Sequence, residues 1–105
     1  MILNDSNYKD EILDFDGVSL IDFWAPWCGP CKIQGPIIDQ LLTKFEGNKT
    51  VKIGKLDTDE NPQTSMANQI FSIPTLMLYK NGEVVEKFVG LRSYEELEKK
   101  IEELL

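Results

Sequence analysis

Short apolar segments separated by turn residues predict four strands along the chain. Residues 18–24 (VSLIDFW) are almost continuously apolar, which is typical of a strand buried on both faces. Residues 51–56 (VKIGKL) form the next strand. Residues 75–80 and 83–90 flank an Asn81-Gly82 pair, which favours the tight turn of a β-hairpin. The last two strands are therefore expected to be antiparallel.

The segment after the first long strand has the pattern of an amphipathic helix. Pro30 occupies a favoured position for the start of a helix. Apolar residues then recur at helical spacing: Ile33, Ile37, Leu41 and Phe45. Gly35-Pro36 interrupts this stripe and predicts a kink. Because one strand precedes this helix and another follows it, we expect a right-handed parallel crossover.

Three further helices are predicted from their capping residues. The first begins after Asn4 or Asp5, and a short second one begins at Asn61-Pro62 with Asn61 as its cap. The last has a capping box made by Ser93 and Glu96. The order of elements predicts an α/β fold with a mixed sheet between helices, and 105 residues suit a single domain over 1–105.

Composition and charge narrow the class of protein. Hydrophobic residues make up 42% of the chain and charged residues 28%, as in folded globular proteins. The formal net charge of −7 argues against nucleic acid or an anionic membrane as a partner, since both would be repelled. The N-terminus has no signal-peptide pattern, and no segment approaches the ~20 apolar residues of a membrane span. A cytoplasmic location is therefore expected.

Cys28 and Cys31 are the only cysteines, and two residues separate them. A disulfide closing so short a loop would stabilise the fold by only ~2 kcal/mol, so it is a poor structural staple. A zinc site needs about four ligands, and the chain has no histidine, so two carboxylates would have to complete it. The lack of histidine also excludes a Cys-His dyad. A pair of thiols that make and break a bond with each other is the favoured interpretation.

The position of the pair predicts a different role for each thiol. Cys28 precedes the helix, where unpaired N–H groups and the positive end of the helix dipole favour a thiolate. We therefore expect Cys28 to be the nucleophile and Cys31, expected to be the more buried of the two, to be the resolving thiol. Gly29 allows a tight approach and Pro30 stiffens the ring. Lys32 either adds positive charge or is a solvated surface residue.

Asp22 is a carboxylate inside the apolar VSLIDFW strand. Burial would raise its pKa and let it exchange a proton with Cys31, whereas a partly solvated aspartate at a strand edge would have no such role. Lys55, on the next strand, either pairs with Asp22 or extends to solvent from the sheet edge. Trp24 and Trp27 flank the cysteines as packing for the loop, and an exposed Trp27 could also contact a substrate.

Several segments of the chain together resemble the thioredoxin family. They are DFWAPWCGPCK, KLDTDENP, SIPT, KNGE and VG, which occur in this order across nearly the whole chain. The resemblance implies the thioredoxin fold, a central mixed five-stranded sheet flanked by four helices. It implies a protein-disulfide reductase that needs no metal or bound organic cofactor. A thioredoxin reductase, dependent on flavin and NADPH, would re-reduce the Cys28–Cys31 pair.

The resemblance also implies a substrate-binding surface. It implies a cis peptide between Ile73 and Pro74, with Pro74 against the cysteines and the backbone of Ile73 pairing with the substrate chain. Gly90 would complete an apolar docking surface with these residues: Trp27, Gly29, Pro30 and Pro74. In the family pattern Asp22 is the proton acceptor behind Cys31, with Lys55 near it.

Two residues depart from the family pattern between Lys32 and Pro36, where two apolar residues and alanine are usual. Gln34 is expected to place its amide near Cys31, and Gly35 is expected to loosen the helix by up to about 1 kcal/mol. Phe71, which precedes Ser72, is expected to enlarge the apolar surface that meets a partner.

Two alternative functions remain open at this point. One is an oxidant or isomerase on the same fold, against which Gly29-Pro30 argues. The other is a binding role that does not use the thiols. The partners expected from the resemblance are client proteins with disulfides and the reductase, and the protein is expected to be a monomer.

Overall fold

Five strands and four helical segments make up a computed structural model that describes residues 1–105. In chain order they are β1 (Ile2–Leu3), a π-helical turn (Lys9–Leu13), β2 (Val18–Trp24), α1 (Cys31–Lys44), β3 (Val51–Asp57), α2 (Pro62–Ala67), β4 (Thr75–Lys80), β5 (Glu83–Val89) and α3 (Tyr94–Glu103). The four strands predicted from the apolar pattern are confirmed. The pattern does not predict β1, because two residues carry no periodicity.

The strands form one mixed sheet in the order β1-β3-β2-β4-β5. β3 is parallel to both β1 and β2, whereas β4 is antiparallel to β2 and to β5. The central position of β2 explains its apolar sequence, since helices cover both of its faces. In the register of the sheet, Asp22 on β2 lies beside Lys55 on β3 and Leu76 on β4. The mixed five-stranded sheet implied by the resemblance is confirmed.

The two faces of the sheet carry separate hydrophobic cores. On one face, Val18 and Leu20 of β2 pack with residues of α1 and α3. On the other face, Ile21 and Phe23 pack with the π-helical turn and with β1. Successive strand residues point to opposite faces, so Asp22 lies on the same side as Leu20, beneath α1. This alternation places the carboxylate on the side of the sheet that carries the cysteine helix.

The first predicted helix is shorter than expected and has a different start. Lys9–Leu13 form a π-helical turn that begins after Tyr8. Neither Asn4 nor Asp5 caps it, so that prediction is wrong. Asn4 instead closes the preceding turn, because its Oδ1 accepts hydrogen bonds from the N–H groups of Ser6 and Asn7.

Asp5 caps α2, which lies far from it in the sequence. Its carboxylate accepts hydrogen bonds from the N–H groups of Thr64, at 2.8 Å, and Gln63, at 3.3 Å. Asn61 occupies the predicted N-cap position, but its side chain makes no capping hydrogen bond. The Asn61 amide instead donates to the carbonyl of Asp57 and accepts from the N–H of Asp5. The tertiary fold therefore supplies the cap from another part of the chain.

The remaining boundary signals agree with the structure. Ser93 caps α3 by accepting a hydrogen bond from the N–H of Glu96, as predicted. The hairpin between β4 and β5 turns through Asn81 and Gly82, both with positive φ, as its primed turn requires. α1 continues through Pro36 to Lys44, and the expected kink stays a prediction. No helix has the length and apolar character needed to cross a membrane.

Candidate active site

A disulfide between Cys28 and Cys31 lies at the amino-terminal end of α1. The Cα atoms of the two residues are 5.3 Å apart, within the usual range for a disulfide. Cys31 is the first residue of α1, and its backbone N–H donates a hydrogen bond to Cys28 Sγ at 3.2 Å. A free N–H group of the first helical turn is thus directed at the sulfur of Cys28, not at that of Cys31.

The burial of the two cysteines differs from the sequence-based expectation. Cys28 is 3% exposed and Cys31 is 5% exposed. The prediction that Cys31 would be the more buried of the two is therefore wrong for the disulfide form. The disulfide keeps both sulfurs buried in the segment that joins β2 to α1. The neighbouring Trp27, Gly29 and Pro30 are exposed.

Asp22 is buried beneath α1 with no hydrogen-bond partner. It is 1% exposed, and neither of its carboxylate oxygens is hydrogen-bonded. Burial raises the pKa of Asp22 from its ordinary value of 3.8 to about 7, against the opposing effect of the positive charge on Lys55 and with a further increase from Asp39. The alternative of a partly solvated aspartate at a strand edge does not hold, because β2 is the central strand.

A cavity of about 260 Å³ connects Asp22 to one of the two cysteines. Asp22, Cys31 and Gly35 line it, and Asp39 and Lys55 lie at its exposed side, whereas Cys28 is not among its lining residues. The volume admits several water molecules, since a single one needs only about 15 Å³. Asp22 and Cys31 therefore line the same cavity, although both carboxylate oxygens of Asp22 are themselves buried.

Lys55 binds Asp39 and does not bind Asp22. Its Nζ lies 2.8 Å from Asp39 Oδ1, on α1. Of the two alternatives for Lys55, direct pairing with Asp22 does not occur, although the ammonium group still lowers the pKa of Asp22 through space. The long lysine side chain reaches the exposed Asp39, where the ion pair stays partly hydrated and loses less solvation than it would beside the buried carboxylate.

The residues expected around the disulfide range from exposed Trp27 to buried Pro74. Trp27 is 69% exposed, and its indole N–H donates to Asp59 Oδ2 at 2.9 Å. The Ile73-Pro74 peptide is cis, as the resemblance implied. Gly90, with φ of +97° in the region that favours glycine, donates its N–H to the carbonyl of Pro74 at 2.9 Å. The structure thus brings the predicted Gly90 and Pro74 into direct contact.

Comparison with known proteins agrees with this geometry. The family model described as Thioredoxin matches residues 1–103. The chain belongs to the thioredoxin family. It is 48% identical to Thioredoxin 1 of Nostoc sp. over 88 residues, which cover 84% of this chain and 80% of that protein. It is 45% identical to the thioredoxin of Staphylococcus saprophyticus over 103 residues, which cover 98% of this chain and 95% of that protein.

Membership of the thioredoxin family, together with the disulfide in the CxxC position, establishes the chemistry of the site. This thioredoxin is a thiol–disulfide oxidoreductase that reduces disulfides by thiol–disulfide exchange through Cys28 and Cys31. The chain has no group of three or more His, Cys, Asp or Glu side chains placed to hold a metal ion. That the protein works without any metal or bound organic cofactor stays a prediction.

Gln34 departs from the thioredoxin pattern, and the structure gives its amide a different partner from the expected one. The side chain is fully buried. Its Nε2 donates to the carbonyl of Arg92 at 3.1 Å, and its Oε1 accepts from the N–H of Arg92 at 2.8 Å. The amide thus hydrogen-bonds to the segment that leads from β5 to α3, and that it lies near Cys31 stays a prediction.

Sequence reasoning missed Asp39 and Arg92. Asp39 lies four residues after Gly35 on α1, so helical spacing places both on the face that meets Lys55. That spacing is a signal that could have identified Asp39. Arg92 carries no such signal, because its contribution is made by backbone atoms.

Phe71 and Trp27 border a groove beside the disulfide. Phe71 is 91% exposed, and it lines a groove of about 420 Å³ with Trp27 and Ile73. An aromatic side chain this exposed contributes little to the fold, so its apolar surface is free to meet a partner. The contact with a partner stays a prediction.

Proposed function

We propose that this thioredoxin reduces disulfides of client proteins, with Cys28 as the attacking thiol and Cys31 as the resolving thiol. A contrast between the two cysteines carries this assignment: the N–H of Cys31 is directed at Cys28 Sγ, whereas Cys31 and not Cys28 lines the cavity with Asp22. A hydrogen-bond donor at a helix start stabilises a thiolate. A carboxylate with a pKa near 7 suits removal of a proton from the other thiol.

The proposed exchange has two steps. In the reduced protein, the Cys28 thiolate attacks one sulfur of the client disulfide, and the other client sulfur leaves as a thiolate. The Asp22 carboxylate then takes the proton of the Cys31 thiol, and the Cys31 thiolate attacks Cys28 Sγ. The second client sulfur leaves, and the two electrons gained by the client are lost by the pair. The Cys28–Cys31 disulfide in the structure is the product.

The proposed docking surface consists of six residues around the disulfide: Trp27, Gly29, Pro30, Ile73, Pro74 and Gly90. Trp27 offers an exposed apolar ring, which its hydrogen bond to Asp59 holds in place. The backbone N–H and C=O of Ile73 have no hydrogen-bond partner within the chain. These groups can pair with the main chain of a client in the manner of an added strand.

A second protein must return the electrons. We propose that a thioredoxin reductase, dependent on flavin and NADPH, reduces the Cys28–Cys31 disulfide, and that this chain itself holds no metal or organic cofactor. We further propose that residues 1–105 form a single domain, which acts as a monomer in the cytoplasm. The match of the family model to residues 1–103 supports the single domain. Lys55 is proposed to act only through the charge that it places near Asp22.

Replacing each cysteine by serine tests the assignment. Cys28→Ser should abolish turnover, and Cys31→Ser should accumulate a mixed disulfide between Cys28 and a disulfide-bonded client such as insulin. Mass spectrometry identifies the cysteine that is joined to the client. Trapping through Cys31 in the Cys28→Ser protein would reverse the assignment. If the Cys28→Ser protein keeps an activity in the cell, that activity would indicate a binding role independent of the thiols.

The redox equilibrium of the pair with glutathione separates the reductase from its nearest rival. We expect the disulfide to be harder to reduce than that of glutathione, as in a reductant of client proteins. A potential at or above that of glutathione would instead indicate an oxidant or an isomerase.

A further inference from the structure

Gln34 is a buried polar side chain with a specific pair of hydrogen bonds. It lies on α1, three residues after Cys31, so both face the same side of the helix. Its two hydrogen bonds reach the N–H and the C=O of one residue, Arg92, which is 58 positions away in the sequence. The amide therefore binds the Arg92 backbone much as a neighbouring strand would.

A side-chain amide of this length satisfies both backbone groups, since it carries a donor and an acceptor. An apolar side chain would leave a buried donor and acceptor without partners, and an ionised carboxylate would repel the carbonyl of Arg92. Neighbouring bonds extend the connection. Gly90, two residues before Arg92, donates its N–H to the carbonyl of Pro74. The amide of Gln34 thus links the cysteine helix to the segment that carries one edge of the docking surface.

We propose that Gln34 is a positioning residue for protein substrates. It holds residues 90–92 against α1 and so fixes Gly90 and Pro74 relative to the Cys28–Cys31 disulfide. Gln34 itself touches neither the client nor the reacting sulfurs. The proposal rests on the proposed docking surface, because it concerns the edge of that surface formed by Gly90.

A positioning role differs from a purely structural one in the substrates that it affects. A protein client contacts the whole docking surface, whereas a small disulfide needs only access to Cys28. Loss of the link to Arg92 leaves residues 90–92 free to move, and a client must then order them on binding. The free energy of ordering these residues therefore weakens the binding of protein substrates and does not slow thiol–disulfide exchange itself.

The test compares two substrates in the Gln34→Met protein. Methionine keeps the length of the side chain but makes neither hydrogen bond. Turnover is driven by excess dithiothreitol, with insulin as the protein substrate and hydroxyethyl disulfide as the small one. We expect KM for insulin to rise about fivefold with kcat little changed, and the rate with hydroxyethyl disulfide to be unchanged. Gln40→Met, at an exposed position of the same helix, is the matched control and should change neither rate.

Two kinetic outcomes would overturn the proposal. An unchanged KM for insulin would show that the link does not position the docking surface. An equal loss with both substrates would place the effect on the thiols. Trp27→Ala distinguishes failure of the Gln34 proposal from failure of the proposed docking surface. If Trp27→Ala raises KM for insulin, the docking surface exists even if Gln34→Met leaves KM unchanged.

Hydrogen exchange in the Gln34→Glu protein provides a second test that does not depend on turnover. A protonated glutamic acid can donate to the carbonyl of Arg92 and accept from its N–H, whereas an ionised one can only accept. After correction for intrinsic rates, we expect exchange at Gly90 to be at least about tenfold slower at low pH than at high pH in this variant, because only the protonated side chain binds the carbonyl of Arg92. In Gln34→Met, hydrogen exchange at Gly90 and at Arg92 should be faster than in the wild type at both low and high pH. Wild-type protection of these amides in Gln34→Met would overturn the proposal.

Discussion

Lys55 forms its ion pair with Asp39 on α1, although its neighbour across the sheet is Asp22. The Nζ–Oδ1 distance to Asp39 is 2.8 Å, and neither oxygen of Asp22 has a hydrogen-bond partner. The buried carboxylate is therefore left without direct neutralisation. Burial can then hold its pKa near 7, where a proton acceptor for a thiol is useful.

Asp39 is expected to set the pH at which the resolving step accelerates. In Asp39→Asn the negative charge that raises the pKa of Asp22 is lost, and Lys55 is released to approach the carboxylate. Both changes lower the pKa of Asp22, so the midpoint of the pH profile for Cys31 attack should move to lower pH. The rate at which the mixed disulfide breaks down, measured by stopped flow between pH 5 and 9, gives this midpoint.

Two further variants control the Asp39 experiment. Lys55→Met removes the charge that lowers the pKa of Asp22 and should move the same midpoint to higher pH. Asp14→Asn breaks an exposed ion pair with Lys9 and should leave the midpoint where it is in the wild-type protein. A shift of the same sign in Asp39→Asn and Lys55→Met would contradict the electrostatic explanation.

Asp22→Asn should change how stability depends on pH. The folded protein keeps the Asp22 proton up to about pH 7, whereas the unfolded chain loses it near pH 4. The free energy of unfolding therefore falls as pH rises through this window and is not recovered above it. A pKa raised from 3.8 to about 7 lowers the free energy of unfolding above pH 7 by about 4 kcal/mol. The asparagine variant has no proton to lose and keeps this stability.

Urea unfolding of the oxidised proteins at pH 4 and pH 8 measures this effect. The stability of Asp22→Asn relative to the wild type should increase between these two pH values, while exposed Asp10→Asn should show no such increase. The same asparagine should slow attack by Cys31 by roughly 100-fold at pH 8 and leave the first attack by Cys28 unchanged. An equal slowing of both steps would remove Asp22 from the resolving step.

Phe71→Ala should weaken binding of protein substrates without weakening the fold. Phe71 is 91% exposed, so its removal should change the free energy of unfolding by less than about 0.5 kcal/mol. If a client covers part of the ring, KM for insulin should rise by about fivefold. Val85→Ala, at an exposed position of β5, is the control and should leave KM unchanged. A stable Phe71→Ala protein with wild-type KM would show that the client does not contact Phe71.

Gly35→Ala should stabilise the protein. Gly35 is helical, and a methyl group there would lie 3.6 Å from the flexible end of Lys55, an ordinary contact. Alanine in a helix is favoured over glycine by about 1 kcal/mol, so the melting temperature should rise. Gly47→Ala should do the opposite, because Gly47 has φ of +83°, where a side chain is strained. A lower melting temperature in Gly35→Ala would show that α1 needs glycine at this position.

Sequence patterns predicted the features that depend on residues close together in the chain. The apolar runs located β2 to β5, the stripe of apolar residues after Pro30 located α1, and Ser93 located the start of α3. The spacing of Cys28 and Cys31 predicted a redox pair, and the whole-chain resemblance supplied the family and the cis peptide before Pro74. Asp22 could be predicted as a buried carboxylate because it interrupts an apolar strand.

The contacts that sequence reasoning missed or misassigned join residues far apart in the chain. Asp5 caps α2 across the fold, Lys55 reaches Asp39, and Gln34 reaches Arg92. The sequence by itself determined which residues are apolar, which can react and where each long element lies, since these depend on neighbours along the chain. Only the tertiary structure decided which partner each polar side chain binds, because a flexible side chain has several possible partners and packing leaves one of them within reach.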